Sequence, residues 1–163
     1  MSAAAVIQSV SKVPFVNSSG IDLVGAGPGW AIAALDQQPR HTSHAGGFQG
    51  AAIYSVAETA ASLLLAGIIE APDPGMSFAV FESNISFRRP VAGRVVANAT
   101  LAESLDRVRA RLHRDGAVSF AVIARLTDAN GDNVARAEFG CRIVLPRDSN
   151  PAPDDSQKVV SST

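Results

Sequence analysis

From Gly50 to Ile69 the chain carries one formal charge, Glu58, in a run otherwise made of apolar, small and hydroxyl-bearing residues. A helix that is apolar on every side belongs in the middle of a protein, so the rest of the chain has to surround it. A carboxylate in that setting loses hydration at a cost on the order of several kcal/mol unless something compensates it. The segment leading in, Arg40 to Gly50, is rich in glycine and histidine. An unpaired acid on a buried helix behind a glycine-rich entry is an arrangement that acyl transfer can use.

After this helix the period changes to two. Phe78, Val80, Glu82, Asn84, Ser86 and Arg88 alternate with Ala79, Phe81, Ser83, Ile85 and Phe87, a long strand that ends at Arg89-Pro90. Arg94 to Leu101, Ala117 to Leu126 and Asn133 to Leu145 read as further strands, and Asn130-Gly131 marks a hairpin between the last two. Leu105 to His113 reads as a short helix or irregular extension that Gly116 closes. Upstream, Ile21 to Val24 and Trp30 to Leu35 are strand-like runs broken by the turn Gly25 to Gly29. Met1 to Lys12 reads as a short docking helix, and Pro72 to Gly75 terminates the long one.

One long helix followed by an antiparallel meander has a simple solution: the sheet curls around the helix and buries nearly every face of it. The expected class is therefore α+β, a curved antiparallel sheet wrapped around one long central helix. It occupies a single domain over residues 1–146 that includes the N-terminal helix. The Pro, Asp and Ser content of residues 147–163 predicts a disordered tail. Exposed sheet edges favour a homo-oligomer.

The 163 residues carry a formal net charge of −1 with a pI near 6.3, which gives no electrostatic case for nucleic acid. The basic cluster Arg107 to Arg114 reads as one solvated helix face and not as a membrane patch. The apolar run is long enough to cross a bilayer, but Glu58, Ser55, Thr59 and Ser62 and the lack of flanking Lys or Arg anchors argue against it. The lone Cys141 excludes an intramolecular disulfide and fits a reducing, cytoplasmic setting. His41 and His44 lack a nearby Cys or acid to complete a metal site, so no metal is expected. The Gly25 to Gly29 cluster is not a nucleotide fingerprint, because no strand-turn-helix follows it.

Several strings resemble the hot-dog-fold thioesterase superfamily, in particular its phenylacetyl-CoA-thioesterase-like members and their poorly characterised branch. Gly20 to Trp30 is similar to the opening strand of that family, and Gln49 to Glu58 to its entry into the central helix. Phe87 to Gly93 resembles its strand ending, and Leu126 to Ala135 its final hairpin. The resemblance runs from about Pro14 to Leu145 and implies the hot-dog fold. It also implies an acyl-CoA or acyl-carrier thioester as partner, no cofactor beyond the coenzyme A of the substrate, and an active site completed by a second subunit in a homodimer or a dimer of dimers. One departure stands out: the family commonly has His before the helix glycine, where this chain has Gln49.

The resemblance gives the helix acid the task of activating water or attacking the thioester carbonyl, and Glu58 is the residue in that position. First-turn amides around Gly50 and Ala51 lack intrahelical partners and sit at the positive end of the helix dipole, which makes them the expected oxyanion hole. Glycine at position 50 lets a carbonyl approach closely. Gln49 can offer an amide to a carbonyl or a water. On helical spacing Ser55, Glu58 and Ser62 share a face, with Thr59 adjacent, so these hydroxyls are candidates to orient Glu58 or a water. Tyr54, Ser55, Thr59, His41 and His44 complete the candidate substrate contacts, with Arg88 and Arg89 placed for the phosphates of coenzyme A. The expected function is an acyl-CoA thioesterase that releases a carboxylic acid and coenzyme A. The alternative is a non-catalytic acyl-CoA-binding hot-dog domain.

Overall fold

The computed structural model describes residues 2–68 and 75–146. Its elements follow the order α1 (Ala3–Ser11), α2 (Pro14–Ser19), β1 (Asp22–Gly27), β2 (Trp30–Asp36), a 3-10 turn (Pro39–His41), α3 (Gly50–Ile68), β3 (Ser77–Phe87), β4 (Arg94–Leu101), α4 (Leu105–Asp115), β5 (Ala117–Asp128) and β6 (Asn133–Val144). The expected terminator of the long helix and the expected tail lie largely or wholly outside the described residues.

All six strands join one antiparallel sheet in the order β1-β2-β4-β5-β6-β3. Its inner face is fixed by alternation along each strand. Ala31, Ala33 and Leu35 of β2 pair with Ala99, Ala97 and Val95 of β4, and Ala124, Val122 and Phe120 of β5 pair with Ala137, Phe139 and Cys141 of β6. All of these are buried. Alanine at so many inward positions keeps the floor shallow, and α3 settles onto it with Ile53, Val56, Ala57, Ala60, Ala61, Leu63, Leu64, Leu65 and Ile68 buried. The apolar run is thus the core helix of this fold.

The register shifts in β1 after Leu23, in β5 after Leu126, and in the middle of β3. Val80 pairs with Cys141 and Glu82 with Gly140, so Phe81 is an extra residue in β3, a bulge. The insertion shifts the phase. Phe78 and Val80 therefore share the inner face with Ser83, Ile85 and Phe87, instead of opposing Ile85 and Phe87 as an unbroken alternation requires. Gly140 makes room for it, since a Cβ there would stand 3.1 Å from the Phe81 ring and 3.2 Å from Glu82 Cβ.

The N-terminal helix forms and packs against α3, burying Val6 and Val10. A second helix, α2, was not evident from periodicity; Pro14 begins it and Gly20, in the left-handed region at φ 73°, ends it. The expected short helix before β5 is α4, capped by the Ser104 hydroxyl and closed by Gly116 at φ 69°.

Candidate functional site

The glycine-rich entry is a tied loop that aims α3. Ser43 donates its N–H to the Gly47 carbonyl (2.8 Å), Phe48 to Val91 (2.8 Å) and Gln49 to His41 (2.8 Å). Gly47 has to be glycine, because a Cβ there would lie 2.8 Å from the Val91 carbonyl oxygen. Gln37 ties the same loop from outside. Its side-chain amide donates to Thr42 Oγ1 (3.0 Å) and the Gly46 carbonyl (2.9 Å), and its oxygen accepts from Gly93 N–H (2.9 Å). Nothing in the sequence pattern marked Gln37; only the tertiary fold brings its three partners together.

Gln49 takes the cap position: its carbonyl accepts from the amides of Ala52 (2.9 Å) and Ile53 (3.3 Å), and its side chain is exposed. The amides of Gly50 and Ala51 donate to no acceptor among the described residues, as expected at a helix start. Phe87 lies against Gly50, where a Cβ would come within 3.3 Å of the ring.

Glu58 stands two helical turns further on, half-buried. Ser62, one turn beyond, donates to Glu58 Oε1 at 3.5 Å. Burial pushes the Glu58 carboxyl above the ordinary glutamate range, and the Ser62 hydrogen bond only partly offsets this. Its charge also reaches Cys141 on β6, whose thiol is pushed up to about 12, first by burial and second by the Glu58 carboxylate. Tyr54, on the same helix, bonds Ser83 Oγ of β3 (3.1 Å) and tilts against Phe139. Ala51, Tyr54, Ser55, Glu58 and Ser62 thus form the one α3 stripe that the chain's own sheet leaves partly open.

Ser55 shares this stripe, but its hydroxyl donates back to the Ala52 carbonyl (2.8 Å). Thr59 points the other way, 2% exposed, with its hydroxyl unpartnered among the described residues. His41 is buried and fixed. Nδ1 accepts from Gln38 N–H (3.2 Å), and Nε2 lies 3.0 Å from the Ser19 carbonyl oxygen and 3.2 Å from Arg40 Nε, tying the entry loop to the end of α2. His44 is exposed at the loop tip. Among the described residues no three His, Cys, Asp or Glu side chains converge as metal ligands would.

Two clefts flank the helix start. The larger, about 440 Å³, is lined by Phe48, Gly50, Ile53, Phe87, Arg88 and Arg89, among others. Arg89 is already held by Asp128 (2.8 Å) and Asp132 (3.0 Å) of the β5–β6 turn, whereas Arg88 is exposed with no carboxylate within ion-pair distance among the described residues. The second cleft, about 300 Å³, opens between α2 and the first turns of α3 and is lined by Gln49, Ala51 and Ser55. Glu58 lines neither. Within one chain it lies about 12 Å along the helix axis from Gly50, at 1.5 Å of rise per residue.

A curved antiparallel sheet closed around one long helix is the hot-dog fold. The chain belongs to the family described as domain of unknown function DUF4442, whose model matches residues 3–143. None of the curated proteins matches it by sequence. Among solved structures it is similar to PA5026 of Pseudomonas aeruginosa, called a probable thioesterase, with 22% identity over 86% of this chain and 94% of that one, at a TM-score of 0.73. It is also similar to the thioesterase HI1161 of Haemophilus influenzae, with 18% identity over 92% and 95% of the two chains at 0.69. A third is the phenylacetic acid degradation protein PaaI of Thermus thermophilus, with 19% identity over 81% and 99% at 0.62.

Proposed function

We propose that this protein hydrolyses an acyl-CoA thioester, with Glu58 of one subunit acting at the helix start of a second copy. The observation that carries the reading is Glu58 itself: a desolvated acid with no cationic partner among the described residues, bonded to Ser62 on a partly open stripe of the core helix. The thioesterase names of two proteins with the same fold add support.

The open stripe calls for a partner, and so does β3, an edge strand that exposes Phe78, Phe81 and Phe87. A two-fold axis near Tyr54 would run two α3 helices antiparallel and lay Glu58 of each beside Gly50 of the other. That removes the 12 Å separation present within one chain. The amides of Gly50 and Ala51 would then hold the carbonyl oxygen as it gains charge, at a typical value of about 3 kcal/mol per donor in other enzymes. Glu58 takes a proton from the attacking water or attacks the carbonyl carbon itself. Either way the carbon–sulfur bond breaks, coenzyme A leaves as the thiol, and water supplies the oxygen of the released acid. In this reading Gln49 contacts the carbonyl or the water, Ser62 orients the acid, Tyr54 contacts the substrate, and Arg88 meets the phosphates of coenzyme A.

Glu58→Gln tests this against a panel of acyl-CoAs. Turnover is expected to fall by about 100-fold or more with circular dichroism unchanged. Unaltered turnover removes Glu58 from the mechanism, and no turnover by the native chain with any thioester favours the non-catalytic acyl-CoA-binding alternative.

A further inference from the structure

The thioester carbonyl, placed at the amides of Gly50 and Ala51, sits between the two clefts, so the two arms of the substrate must diverge from that point. Arg88 assigns the larger cleft to the nucleotide. The smaller one is left for the acyl group, and its lining is specific. Phe15 of α2 lines it at 54% exposure. Leu35 and Ala51 give it apolar surface. Its charge is one-sided: Arg40 lies at the rim, no acid lines the cleft, and the Gln49 side-chain amide is unpartnered among the described residues. Arg40 itself reaches only the Ser19 carbonyl (3.4 Å) and the His41 ring, and no carboxylate of the described residues pairs with it. At about 300 Å³ the cleft is at the small end of the range for ligand sites.

We propose that the cleft between α2 and the first turns of α3 is the acyl subsite and that it selects a short acyl group ending in a carboxylate, with Phe15 limiting its bulk and Arg40 holding its far end. This rests on the thioester reading above and deepens it to a substrate class, the half-thioester of a short dicarboxylic acid. A carboxylate at the end of the arm accepts the guanidinium hydrogen bonds in the paired geometry that arginine favours. A methyl in its place gives Arg40 no carboxylate and gains nothing from the cleft's donors.

The test is calorimetric binding of non-hydrolysable CoA thioethers, whose readout does not depend on turnover. A glutaryl-like arm is compared with a valeryl-like arm of equal length. Native protein is expected to prefer the glutaryl-like arm by about tenfold or more, a preference that Arg40→Gln abolishes without weakening coenzyme A itself. Phe15→Ala is expected to improve binding of a bulkier aryl arm relative to both. Both side chains are exposed, so the fold survives either change. Arm preferences unchanged in both variants overturn the subsite. Weaker binding of coenzyme A by Arg40→Gln, with arm preference kept, overturns it too, by giving the cleft to the nucleotide. If the preferences follow the expectation but native protein cleaves no thioester, the hydrolase reading fails and the subsite stands.

Discussion

Glu58 and Ser62 are the residues on which the chemistry depends, and their energetics make a test that needs no substrate. Burial holds the Glu58 carboxyl above its ordinary value, so the folded state binds its proton more tightly than the unfolded chain does. Below the unfolded value both states are protonated and the site costs nothing; as pH rises through the raised folded value, the penalty for a buried charge appears in full. Glu58→Gln should therefore melt higher than the native protein at pH 7, with the gap closing as pH falls below the ordinary glutamate range near 4.5. An equal gap at both pH values would show that the carboxyl is not desolvated. The same raised value sets the acid limb of kcat/KM, which should fall with decreasing pH at a midpoint above 4.5. This acid stood out in the sequence because it is alone in an apolar run. The roles of its neighbours were less legible. Ser55, Thr59 and Ser62 look alike on a helical wheel, but only packing shows Ser55 bonded back to the helix, Thr59 in the core and Ser62 against the acid.

At the level of elements, strand and helix order could be read because period two and an all-round apolar run are strong, local signals. The Phe81 bulge is the instructive departure. Phe78 and Val80 stand an odd number of positions from Ile85 and Phe87, so one sheet face can hold all four only if a residue is inserted between them. That parity is visible in the sequence, and Gly140 on the neighbouring strand is its counterpart. Gly140→Val should cost about 1–3 kcal/mol by urea unfolding, since the new side chain must displace Phe81 and Glu82. An unchanged midpoint would mean that the bulge is not packed against that glycine. Gln37 and the α2–α3 cleft could not be read, because each joins residues far apart in the chain through contacts that carry no periodic pattern.

For the whole molecule, the open stripe of α3 and the unpaired β3 edge make a second copy part of the account. Sedimentation should report a dimer, and Phe78→Lys with Phe81→Lys should dissociate it, because charge on an edge strand opposes pairing while both side chains are already exposed in the single chain. A native monomer at micromolar concentration would leave Glu58 facing solvent and the proposal without a site. The most direct measurement is complementation between two inactive variants. Glu58→Gln removes the acid. Gly50→Pro removes one of the amide donors at a helix position that tolerates proline. Mixing and reassociating the two should restore about a quarter of native activity, because half of the dimers formed are mixed and each carries one complete site out of two. Activity that stays at the level of the separate variants would contradict a site shared between subunits.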